Sequence, residues 1–156
     1  MSTATSAPSG IDEVHVLWIS EGMSCDGDTA SVTAATLPSL EDVVLGAIPG
    51  LPEVHLHNKV LAYETGEDFT RAPHRAADDG LEPFVFVVEG SVPDENINGD
   101  GYRTSLDNDP GTGEPITLDQ WIDRLAHKAY ALLADRTGDR LPTDPLPLLT
   151  DSRPGT

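Results

Sequence analysis

Two stretches of this chain, EVHVLWIS at residues 13–20 and PFVFVVEG at residues 83–90, are apolar at almost every position instead of every second one. A strand with one wet face alternates. A nearly continuous apolar run is expected at the centre of a parallel sheet that is covered on both sides. In the first run Val14, Val16, Leu17, Trp18 and Ile19 carry the pattern between Glu13 and a glycine-containing turn. Strands of this kind separated by helical segments imply an α/β domain with a doubly wound parallel sheet.

The sequence between and after the two runs supplies those helices. TASVTAATLPS, with small and β-branched residues, predicts a short helix from Asp28 or Thr29 that stops before Pro38. Ser39 then reads as an N-cap with Asp42 in a capping-box position, and LEDVVLGAI is expected to bury Leu40, Val43, Val44, Ala47 and Ile48 at helical spacing. EVHLHNKVLAYE reads as one or two strand-like pieces, and EDFTRAPHRAADDG as a polar, weakly helical stretch interrupted by Pro73. A long loop rich in Asp, Asn and Gly follows the second apolar run. A capping box from Thr117 to Gln120 opens the next helix, whose stripe is Leu118, Trp121, Ile122, Leu125, Ala126 and Ala129. Residues 129–134, AYALLA, would be the next strand. The expected organisation is a lead at 1–12, one folded domain at 13–134, and an irregular proline-rich tail at 135–156 that adds nothing to the core.

Charge narrows the partners. Nine Lys and Arg against 27 Asp and Glu give a net charge of −18, which repels phosphate backbones and anionic lipid and argues against nucleic acid as a partner. One cysteine cannot close an internal disulfide. The first ten residues lack the basic and apolar regions of a secretory leader, and no apolar run approaches the roughly 18 residues of a membrane-spanning segment. The expectation is a soluble, cytoplasmic protein.

In a doubly wound sheet, ligands sit beyond the carboxyl ends of the strands. That rule places the turn SCDGD, with Cys25, Asp26 and Asp28, on the same rim as the turn Glu89-Gly90-Ser91. Cys25 has three readings from chemistry: a buried structural cysteine, a thiol made reactive near a helix N-terminus, or a metal-cluster ligand. An iron-sulfur cluster takes about four protein ligands, mostly thiolates, and one cysteine does not supply them. Residues 94–105, DENINGDGYRTS, match part of a calcium loop through Asp94, Asn96, Asn98 and Gly99, but Ser105 stands where a bidentate Glu belongs, so an ordinary acidic loop is expected. His55 and His57 would share a strand face, a partial zinc site at best and more simply surface histidines. NDPGTGEP lacks the context of a phosphate loop and reads as turns.

Taken in order, VLWISEGMSCDGDTASVTAATLPSLEDVVLGAIPGLPEVHLH and EPFVFVVEGSVPDENINGDGYRTSLDNDPGTGEPITLDQWIDRLAHKA resemble the N-terminal half of a nickel-iron hydrogenase small subunit. More narrowly they resemble the high-affinity actinobacterial type, over residues 14–134. The resemblance implies a flavodoxin-like domain, a large-subunit partner, H2 oxidation with electron export, and a 4Fe-4S cluster held at the rim turn. Transferred residue by residue, Cys25 and Asp28 would be two ligands of that proximal cluster, and Glu89 would lie beside it. The family's third and fourth cysteines have no counterpart, since Thr137 and Gly138 stand where its Thr-Cys pair is expected, and its second domain is absent. The resemblance therefore implies a C-terminally truncated or divided subunit, inactive by itself, with an incomplete ligand set. The alternative is an α/β module that binds a partner through the same rim without a cluster; flavin binding by fold analogy is weaker still.

Overall fold

The computed structural model describes residues 10–20, 26–92 and 105–134. Four parallel strands form the main sheet: β1 (Glu13–Ser20), β2 (Glu53–His57), β3 (Phe84–Glu89) and β6 (Ala131–Ala134), in the order β2-β1-β3-β6. Between β1 and β2 lie α1 (Gly27–Val32) and α2 (Leu40–Val44), and α3 (Glu67–Ala77) joins β2 to β3. A two-stranded antiparallel ribbon of β4 (Ser105–Asn108) and β5 (Pro115–Thr117) precedes α4 (Leu118–Ala126). The chain leaves β1 toward one edge and returns past it to β3. With right-handed crossovers this places the two sets of helices on opposite faces, which is the doubly wound arrangement expected.

Register assigns each side chain to a face. His15 lies opposite Phe84, Leu17 opposite Phe86 and Ile19 opposite Val88. With Phe69, Ala72 and Ala76 of α3 and Trp121, Ile122 and Leu125 of α4, these strand residues form one core. The opposite face differs from expectation. Val14, Val16, Val85 and Val87 are only half-buried, and Leu133 of β6 is exposed. The continuous apolar runs therefore do not report burial on both faces among the described residues. Helices α1 and α2 are six and five residues long and bury only Thr29, too little surface to cover four strands.

Three further local readings change. The Ser39 capping box forms with Asp42, but α2 stops at Val44, leaving Leu40, Val43, Val44 and Ile48 half-buried and Ala47 exposed. Pro73 does not interrupt its segment: α3 runs through it for 11 residues. Phe69, Ala72, Pro73 and Ala76 are buried on one face, and that burial offsets the roughly 3 kcal/mol cost of an interior proline. The loop after β3 ends in the β4–β5 ribbon, where Asp109 accepts from the Gly111 and Thr112 amides to make the expected turn. The Thr117–Gln120 capping box is present as read, and the final strand starts at Ala131.

Candidate functional site at the sheet rim

The rim is organised by one buried carboxylate. Ser20 and Glu89 are register partners at the carboxyl ends of β1 and β3, the two strands between which the chain reverses direction. Period-two geometry places Trp18, Ser20 and Glu89 on one face, the face of α1. Glu89 Oε2 accepts from the Trp18 indole at 3.0 Å and the Ser20 hydroxyl at 3.2 Å. Glu89 Oε1 accepts from the Asp28 amide at 2.8 Å and the Thr29 amide at 3.2 Å. The Thr29 hydroxyl completes the set with a short bond to Oε2. The carboxylate thus joins the end of β1 to the start of α1 and braces both sides of the rim turn.

Asp26, the N-cap of α1, is in the left-handed region at φ 53° and makes no side-chain cap bond to its own helix. Helix-opening amides need acceptors when no local cap serves them. Glu89 provides that acceptor from 60 residues away in sequence. Burial would push the Glu89 carboxyl pKa up, since Glu89 is 4% exposed. The Thr29 hydroxyl and amide, the Trp18 indole and the Asp28 amide outweigh it and hold the group below its ordinary value. A carboxylate with five donors has about four lone-pair sites to offer, so its capacity is fully used. Glu89 acts as an anchor here, with none left to serve as ligand or base.

On the other side of the rim, Lys59 Nζ donates to the Ser20 carbonyl at 2.8 Å. Sequence reading did not find Trp18, Ser20, Thr29 or Lys59. The shared parity of Trp18 and Ser20 was available as a signal, but their convergence on Glu89 depends on strand register.

Of the predicted cluster residues, Asp28 sits in the first turn of α1 with its backbone amide engaged and the residue exposed. Cys25 lies outside the described residues. So do residues 94–104 of the suspected calcium loop, Thr137, Gly138 and the 135–156 tail. Among the described residues no group of three or more His, Cys, Asp or Glu side chains is placed to hold a metal ion. With about four ligands required, the described donors do not by themselves make a cluster site. His55 and His57 share a face as read, yet they are half-buried against His15 and do not behave as surface histidines.

The fold and the rim define a class: a doubly wound α/β domain whose switch-point turn is held by a buried glutamate. Comparison with known proteins makes it more particular. The chain is 30% identical over 119 residues to the hydrogenase-2 small chain of Escherichia coli K12, which covers 76% of this chain and 28% of that protein. It superposes on the actinobacterial-type NiFe-hydrogenase of Ralstonia eutropha H16 with TM-score 0.73 and 57% identity, over 80% of this chain and 36% of the other. The NiFeSe hydrogenase of Desulfomicrobium baculatum, 22% identical with TM-score 0.58, shares the fold. No family model matches. The expected resemblance to an actinobacterial-type nickel-iron hydrogenase small subunit is therefore borne out in sequence and fold, over a chain spanning 28% and 36% of the relatives' lengths. No helix among the described residues is long and apolar enough to cross a membrane.

Proposed function

We propose that this chain serves as the rim-bearing domain of an electron-transfer subunit in a nickel-iron hydrogenase. The observation that carries this reading is the 57% identity, at TM-score 0.73, to a protein described as a NiFe-hydrogenase. In this reading Cys25 and Asp28 contribute one thiolate and one carboxylate to a 4Fe-4S cluster, and the remaining ligands come from outside the residues of this chain. The Glu89 brace supports the assignment because it fixes the backbone of Asp28 and Thr29, three and four residues after Cys25 in sequence. H2 oxidation belongs to the large-subunit partner, and the cluster would pass its electrons onward; a hard oxygen ligand on iron tunes that potential.

The exposed aliphatic side chains Leu37, Leu45 and Leu51 support a role in docking that partner. Leu37 and Leu51 line an apolar pocket of about 510 Å³ together with Pro38, Ile48 and Pro49 among others. Contiguous apolar patches mark association sites.

The test is anaerobic reconstitution of the full chain with iron and sulfide, in the presence and absence of a nickel-iron hydrogenase large subunit. Visible charge-transfer absorbance that is lost in Cys25→Ala and altered in Asp28→Ala supports the reading. Because Asp28 engages Glu89 only through its backbone, Asp28→Ala is expected to change folding stability by no more than about 0.5 kcal/mol. A colourless protein that still binds the large subunit would instead establish the cluster-free partner-binding module.

A further inference from the structure

Three imidazoles from the two strands at one sheet edge meet on the core face. His15 of β1 and His55 of β2 are register partners with stacked rings, centroids 4.8 Å apart. His15 Nδ1 lies 3.0 Å from His57 Nε2, and His57 Nδ1 lies 3.2 Å from Glu64 Oε1 in the loop after β2. The His57 and Glu64 side chains are 17% and 24% exposed.

Chemistry sets the direction of this chain. A carboxylate only accepts, so His57 Nδ1 donates to Glu64; neutral His57 then accepts at Nε2, and His15 Nδ1 donates to it. One added proton is accommodated. His57 becomes an imidazolium donating from both nitrogens, while His15 shifts its proton to Nε2 and accepts at Nδ1. A proton on His15 as well would set two N–H groups against each other across the same 3.0 Å.

The surrounding charges reinforce that order. Glu13 and Glu53 lie 3.5 and 3.6 Å from His55 Nε2. Burial, followed by His57, His55 and Arg75 of α3, holds the pKa of His15 below its ordinary value against the pull of Glu13. The second oxygen of Glu64 is buried with no hydrogen-bond partner among the described residues, so losing His57 would leave the carboxylate poorly matched.

We propose that the Glu64–His57–His15 chain is an acid-released latch fastening edge strand β2 and its following loop to the sheet. Among the described residues β2 pairs on one side only, with β1. The loop it leads into carries Lys59, whose bond to the Ser20 carbonyl steadies the rim, so opening the latch loosens the rim as well. The sign follows from linkage. The unfolded chain binds a proton at His15 more readily than the folded one, so stability is full above an unfolded pKa of about 6.5 and is lost as pH falls below it.

The test uses the full chain, with imidazole resonances followed by NMR and β2 amide exchange measured between about pH 7.5 and 5.5. His15 is expected to protonate below about 6.5, with β2 protection falling at least about tenfold relative to β3 as it does. His15→Asn keeps a neutral donor near the Nδ1 position. Its thermal midpoint should fall with acid by about 4 °C less than that of the unmodified chain, carboxylate effects being common to both, whereas His127→Asn at an exposed site should behave as the unmodified chain. Titration of His15 at or above 6.5, unchanged β2 protection, or an identical acid response in His15→Asn overturns the latch. If His15→Asn does not fold, the titration and exchange of the unmodified chain decide the matter alone.

Discussion

A glutamate that accepts five hydrogen bonds differs in kind from one at the surface. Glu89 is ionised, buried and surrounded by donors from Trp18, Ser20, Asp28 and Thr29. Glu89→Gln keeps the volume but turns an amide NH2 toward groups that are already donors. It is expected to cost about 3 kcal/mol in equilibrium denaturation. The pH dependence has a defined sign. Burial alone would raise the Glu89 pKa, but the Thr29, Trp18 and Asp28 donors lower it overall, so its stabilisation is complete above the unfolded carboxyl value and is lost as pH falls through the lower folded value. The acid limb of a stability profile should therefore be shallower in Glu89→Gln. Neither effect could be read at position 89 in isolation, because a glutamate ending an apolar strand has the same sequence signature whether it faces solvent or four donor residues.

Elements with the same local signal contribute unequally. Ser39 and Thr117 both close capping boxes, with Asp42 and Gln120 respectively. Thr117 is buried at the head of α4, which carries the fully buried Trp121 into the core; Ser39 opens α2, which buries no residue. Thr117→Ala is expected to lower global stability by about 1–2 kcal/mol. Ser39→Ala should fray α2 locally and cost under about 0.5 kcal/mol; denaturant midpoints for the two variants compare them directly. Both caps were legible because side-chain-to-amide bonds span only three residues. Continuity of α3 through Pro73 was not legible, since proline's local penalty is visible in sequence and the core that offsets it is assembled from β1, β3 and α4.

For the whole molecule, charge and topology act on different terms. A net charge of −18 is self-repulsion that a compact state concentrates. Raising salt shortens the screening length from about 30 Å at 0.01 M to about 3 Å at 1 M. The thermal midpoint is therefore expected to rise with sodium chloride over that range, and a fall would show that specific ion pairs outweigh the repulsion. The ion pairs present, such as Arg71–Asp68 and Arg124–Asp109, involve partly or largely exposed side chains and contribute little individually.

By itself the sequence determined the alternation of strands and helices, the parallel sheet, the two caps and the rim location of Asp28 and Glu89. Each of these follows from patterns within about a dozen residues or from the topological rule that the alternation invokes. Only the tertiary structure decided that, among the described residues, one sheet face is well covered and the other thinly, that Glu89 braces α1, and that His15, His57 and Glu64 join in one hydrogen-bonded chain. Those outcomes depend on register between β1, β2 and β3. Because side chains alternate along a strand, a one-residue slip would turn His15 and Glu89 to the opposite faces and dissolve both clusters without altering a single local preference.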